Sequence, residues 1–202
     1  METARDRIFG LLLGNIIIFV IFTTIWPVSV AAVARANLVK AVEHLAALFR
    51  SEEAEETHRA GFLAAMAQAR ATLVNEPFET EAMLTAAGRR PIDAGILAQV
   101  QGLFVPVAVI LDLRRQGQES AAVAPYHTAL AAWFQRAAAW IRDGSGADEI
   151  TASLPEPPAA ADPMGVWDRA LDQDIRAILA QVGPQARPAR AATPAELRLA
   201  AG

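Results

Sequence analysis

The side chains able to carry chemistry are few, and in the sequence they stand far apart. His44, His58 and His127 are the only histidines, and cysteine is absent. Without thiols the chain can form no disulfide, thiolate metal site or cysteine nucleophile. His58 follows closely on Glu52, Glu53, Glu55 and Glu56, a grouping that could in principle ligate a cation. Acids opening a helix are also what the positive end of its dipole attracts, and no second histidine accompanies His58 in sequence. A solvated first turn is the expectation, with His44 and His127 isolated in the same way. No phosphate-binding glycine loop, nucleophile elbow or HExxH motif occurs. Trp133 and Trp140 sit at helical spacing and read as core positions, not a cofactor stack. The chain is expected to be no enzyme and to need no cofactor or metal.

The polar groups that do stand out lie in a segment otherwise starved of them. Gly10-Leu-Leu-Leu-Gly14 is a small-xxx-small face with Asn15 beside it. Glycines let a neighbouring helix approach closely, and an amide in hydrocarbon seeks a partner across that interface. Such a face needs other membrane helices, from a larger permease or from a homo-oligomer.

The segment itself runs from Ile8 to Ala34, twenty-seven residues with no ionisable side chain. Its core, Ile8 to Trp26, would rise roughly 28 Å as a helix, close to the ~30 Å hydrocarbon thickness of a bilayer. Thirteen of those nineteen residues are Ile, Leu, Val or Phe. At ~0.3–0.6 kcal/mol each they favour insertion by on the order of 6 kcal/mol. Trp26 sits where an interfacial aromatic belongs, and Pro27 follows at the exit. Arg35 and Lys40 would stand just outside the bilayer and favour a cytoplasmic placement, although Arg5 and Arg7 flank the opposite end. The rival readings are a buried core helix, seldom this apolar on every face, and a cleaved signal peptide, whose apolar region is usually shorter.

Beyond the span the pattern is helical throughout. Ala34, Leu38, Ala41, Leu45 and Leu48 recur at spacings of four and three, with Arg35, Asn37, Lys40, Glu43 and Arg50 mostly opposite. A second helix is expected over about Glu53 to Val74, with a core stripe of Phe62, Met66, Ala69 and Leu73. A short one follows over Glu79 to Ala87. Ile92 to Arg115 reads as the most buried helix, interrupted by Gln99, Gln101 and Pro106 and so assigned to the core, not the membrane. Tyr126, Leu130, Trp133, Ala137 and Trp140 form a bundle seam within a helix over about Ser120 to Arg142. Residues 143–162 read as a proline- and alanine-rich linker. Asp162-Pro163 then opens a last helix lined by Met164, Trp167, Leu171, Ile175, Ile178 and Val182. The predicted fold is all-α: a transmembrane helix over 1–34, a bundle of about four amphipathic helices over 35–182, and a disordered tail over 183–202. A net charge of −4, with no basic stripe, gives no case for nucleic acid.

Two parts of the chain resemble a known family. Asp6-Arg-Ile-Phe-Gly-Leu-Leu-Leu-Gly-Asn15, with Phe22-Thr-Thr-Ile-Trp-Pro-Val-Ser29, resembles the last transmembrane helix of the fusaric-acid-resistance family. Gln68-Ala-Arg-Ala-Thr-Leu-Val-Asn-Glu-Pro-Phe-Glu79 is similar to a segment of the soluble domain that follows it there, with Thr80 in place of a proline. The resemblance covers roughly Arg5 to Glu79; from Ile92 onward only the helical character matches. It implies a piece of an inner-membrane efflux permease for aromatic acids or related toxic compounds. It also implies a cytoplasmic helical domain and, through the full permease, a periplasmic adaptor and an outer-membrane channel as partners. This chain would hold only the final span and final cytoplasmic domain. From another class, a single-pass sensor or binding module with its bundle outside the cytoplasm is the alternative.

Overall fold

The computed structural model describes residues 2–20, 30–50, 54–74, 94–144, 147–159 and 163–182. Eight helices and no strand occur among them: α1 Glu2–Val20, α2 Val30–Leu48, α3 Glu55–Leu73, α4 Ala94–Gly102, α5 Phe104–Arg115, α6 Ala124–Asp143, α7 Ala147–Ala152 and α8 Pro163–Val182. The expected helix over Glu79 to Ala87 and the tail over 183–202 lie outside the described residues, as do Trp26 and Pro27.

The bundle is built around α2, which packs most extensively on α3 and then on α6. Its predicted stripe is buried throughout: Ala34, Leu38, Ala41, Leu45 and Leu48 are all in the core, joined by Val42 and Phe49. Packing on two sides also buries Asn37, which the periodicity had assigned to the polar face. Leu45 and Leu48 are completely shielded, so truncating either to alanine would cost ~2–5 kcal/mol. On α3, Phe62, Met66, Ala69 and Leu73 all point inward, and Phe62 stacks on Phe104 of α5 with ring centroids 5.2 Å apart.

The predicted helix from Ile92 to Arg115 is two helices with a break at Leu103. Pro106 accounts for it: a proline has no N–H for the carbonyl four residues back, at Gly102, and its ring crowds that carbonyl. The ladder passes around the gap, with Leu103 N–H donating to Gln99 and Val107 N–H to Leu103. Ala94–Arg115 is the one described stretch long and apolar enough to cross a bilayer, a test that a core helix also passes. Leu97, Val100, Leu103, Val107, Ile110 and Leu111 are buried within the bundle, where α8 lies across both halves.

Helix ends follow local rules. Gly117, at φ 72°, closes α5 by donating to the Arg114 carbonyl while Gln118 donates to Leu113, the paired bonds of a Schellman motif. Gly144, at φ 74°, ends α6 in the same left-handed conformation. That helix starts later than predicted because Ser120 to Val123 form a turn and Pro125 takes an early helical position, where a missing N–H costs least. The expected linker holds α7, whose Ile150 is buried and accepts a hydrogen bond from Trp133 Nε1 at 2.9 Å.

α1 is different in kind. Ile8, Phe9, Leu11, Leu12, Leu13, Ile16, Ile17 and Ile18 are each 50–71% exposed, distributed around the whole helix. Its continuation towards Trp26 lies partly outside the described residues, so the full predicted span is not on view.

Candidate functional site: carboxylates on both sides of His127

The predicted packing residues sit on this open helix. A Cβ built at Gly10 or Gly14 would meet nothing within 4 Å, and Asn15 is exposed. The face is therefore available to a neighbour, and no described part of the chain fills it. Arg35 is half-buried and Lys40 exposed on α2, inside the packed bundle.

Two histidine sites emerge that sequence spacing had hidden. His127, in the first turn of α6, is 1% exposed. Its Nε2 donates to Oδ1 of Asp168 on α8 at 3.0 Å, and Asp168 is fully buried. Its Nδ1 lies 2.7 Å from Glu119 Oε1 and 2.9 Å from Arg114 Nη2. Those two partners ask for opposite states of one nitrogen. As a lone pair, Nδ1 accepts from Arg114; as an N–H, it donates to Glu119. Arg114 and Glu119 also bridge each other directly, Nη2 to Oε1, at 3.2 Å.

The surroundings are consistent with a charged interior. Partial burial pushes the Glu119 carboxyl up, but the His127 hydrogen bond and the Arg114 charge outweigh it, leaving it below the usual value. Burial, then the charges of Asp168 and Asp172, push the neighbouring Tyr126 hydroxyl well above its usual range. Asp172, one turn beyond Asp168, binds Arg176 at 2.8 Å. Oδ2 of Asp168 and Oδ1 of Asp172 are buried with no hydrogen-bond partner among the described residues. Phe49, at the end of α2, lies against the imidazole with centroids 5.3 Å apart.

Chemically the arrangement is a tie between elements. Both ring nitrogens of His127 are engaged by protein groups, so the imidazole offers no spare lone pair to a substrate. It joins α6 to α8 and to the α5–α6 turn in a low-dielectric setting, where each bond is strong and each orphaned atom expensive. The expectation of an isolated His127 is thus corrected. Its partners stand 8 residues upstream, 13 upstream and 41 downstream, distances that no local motif spans. A signal existed: Asp168 and Asp172 continue the Met164 row of α8 at intervals of four, among Leu171 and Ile175, and so are charges on an apolar stripe.

The second site joins α2 to α3. Nδ1 of His44 and Nδ1 of His58 face each other at 3.2 Å, and both rings are half-buried. Gly61 makes this possible, since a Cβ there would overlap the His44 ring. Burial, then the nearby His58, push the His44 imidazole below its usual value, with Glu43 opposing. The expectation that His58 lacks a histidine partner is corrected too. Of the acids preceding it, Glu56 is exposed as a solvated first turn requires, whereas Glu55 is half-buried and pairs with Arg59 at 3.4 Å and with Arg115 of α5 at 3.8 Å.

Comparison of the chain with family models, with curated proteins and with solved structures finds no match in any of the three.

Proposed function

We propose that this chain is a membrane-anchored cytoplasmic helical domain of an inner-membrane efflux permease of the fusaric-acid-resistance type. Its role is assembly or gating, without catalysis, in a system exporting aromatic acids or related toxic compounds. The observation that carries the anchoring is α1: eight large apolar side chains exposed around every face of one helix. Water tolerates scattered apolar residues but not a continuous apolar cylinder, so lipid or other membrane helices cover it. Gly10, Gly14 and Asn15 then form the side that docks on neighbouring spans. The type of permease rests on the resemblance of Asp6–Asn15, Phe22–Ser29 and Gln68–Glu79.

Fractionation with a C-terminal reporter tests both halves of this reading. The full chain is expected in the detergent-extractable membrane pellet, with a C-terminal fluorescent protein bright and a C-terminal phosphatase inactive. Recovery in the supernatant without detergent would remove the anchor. An active phosphatase would place the bundle outside the cytoplasm and favour the sensor alternative.

A further inference from the structure

In sequence His58 has no second histidine near it; the fold supplies one, His44. We propose that His44 and His58 form a two-ligand site for a divalent first-row transition ion, clipped between α2 and α3. The inference is independent of the membrane reading.

The argument is first one of distance. Imidazole nitrogens bind zinc at ~2.0–2.1 Å, so two of them on a tetrahedral ion stand roughly 3.3 Å apart. On a tetragonal or octahedral ion, two neighbouring nitrogens at a right angle stand about 2.9 Å apart. The observed separation of 3.2 Å falls between these values. The two Nδ1 atoms face each other across the α2–α3 contact, and an ion at ~2.0–2.1 Å from both would sit to one side of the line between them, each ring turning by some tens of degrees to aim its lone pair there. In the empty site one ring donates Nδ1–H to the lone pair of the other. Ligation requires the donating ring in its other tautomer, its proton moved through solvent from Nδ1 to its own Nε2, so that both rings stay neutral and both Nδ1 lone pairs face the ion.

Backbone support is built in: Gly61 leaves the room that the His44 ring occupies over α3. Among the described residues no group of three or more His, Cys, Asp or Glu is placed to hold a metal, so the two imidazoles are the ligands on which the site rests. Such a site is open and exchangeable, and an ion in it ties the first two bundle helices together. Imidazole ligands suit copper, nickel and zinc, with copper bound most tightly.

The test uses the full chain in detergent, stripped with a chelator and titrated separately with Zn²⁺ and Cu²⁺. One ion per chain is expected, with a higher thermal midpoint and a copper resonance split by two imidazole nitrogens. His58→Gln should lower affinity at least ten-fold and leave one coupled nitrogen. Gly61→Ala removes no ligand but pushes the His44 ring aside, so affinity should also fall while helix content is unchanged. Because His58 is half-buried at the surface of the pair, its substitution leaves a folded chain on which to measure. Equal affinity in the wild type, His44→Gln and His58→Gln chains would overturn the site, as would no uptake at millimolar ion.

Discussion

α1 and the buried set around His127 invert the usual arrangement of a protein in opposite ways. The first puts eight large apolar side chains on its outside. The second puts a histidine and two aspartates on its inside, where only apolar atoms would be free of cost. Each inversion is stable only with the right surroundings. Under the proposed anchoring those of α1 are apolar and come from lipid or neighbouring spans; those of His127 are polar and come from within the bundle. A helix facing lipid keeps its apolar groups outward at a gain, whereas a buried charge is held only while every member of its set is present. α1 therefore reports on what the protein is embedded in, and the His127 set on how its helices are held together.

The comparison breaks most widely at α1. Two arginines, at Leu13 and Ile17, would cost about 2.5–3.5 kcal/mol each near the middle of a span. Together they match the whole insertion gain of on the order of 6 kcal/mol from the thirteen apolar residues. Leu13→Arg/Ile17→Arg is thus expected to move the chain from the membrane pellet to the supernatant or into aggregates. If the doubly charged chain stays in the pellet and remains detergent-extractable, α1 is not its anchor.

The next largest effect is inside the bundle. Asp168→Ala leaves Nε2 of the buried His127 without its partner and is expected to destabilise the fold by about 3–5 kcal/mol. Replacing both partners, in Asp168→Leu/His127→Phe, removes the need along with the bond and should cost less than Asp168→Ala alone. Denaturant midpoints of the two variants in detergent decide between a tie and mere space-filling. A double variant weaker than the single one would show that the set is not a coupled unit.

How much of this was legible beforehand follows from the range of each interaction. The stripes of α2, α3 and α6 were readable because periodicity of apolar residues is a local property, and nearly every named position is buried or half-buried. The break at Leu103 was half-readable: Pro106 announced an interruption, but its location three residues earlier, next to the Gly102 carbonyl, comes from the i−4 geometry of the lost bond. α7 was missed because a short helix beside Gly144 has too few turns to show a period; the Trp133–Ile150 bond ties it to the core. Neither histidine site was visible. His44 and His58 meet only because α2 and α3 turn back on each other, and His127 reaches Asp168 only because α8 folds across the layer. Charge on the α8 stripe was the one local clue, and it gave no partner.

The smallest expected effect separates the two histidine sites by pH. Glu119 is held below its usual carboxylate value of 4.5, so its contribution is fully present above that pH and is lost as pH falls through the lower folded value. His44 is held below 6.5, so folding is favoured while it is neutral and weakens as pH falls from 6.5 towards its lower folded value. Both signs run the same way, with stability decreasing on acidification, but the windows differ. Both groups are only half-buried, so screening by solvent keeps each step modest beside the loss of Asp168. Denaturant midpoints measured from pH 7.5 to pH 3 should then fall in two stages. His44→Gln should flatten the stage just below pH 6.5 and leave the acid stage intact, and Glu119→Gln should do the reverse. A single acid stage in the wild type, untouched by His44→Gln, would mean that the α2–α3 pair adds nothing to the pH dependence and that the α6–α8 layer alone sets it.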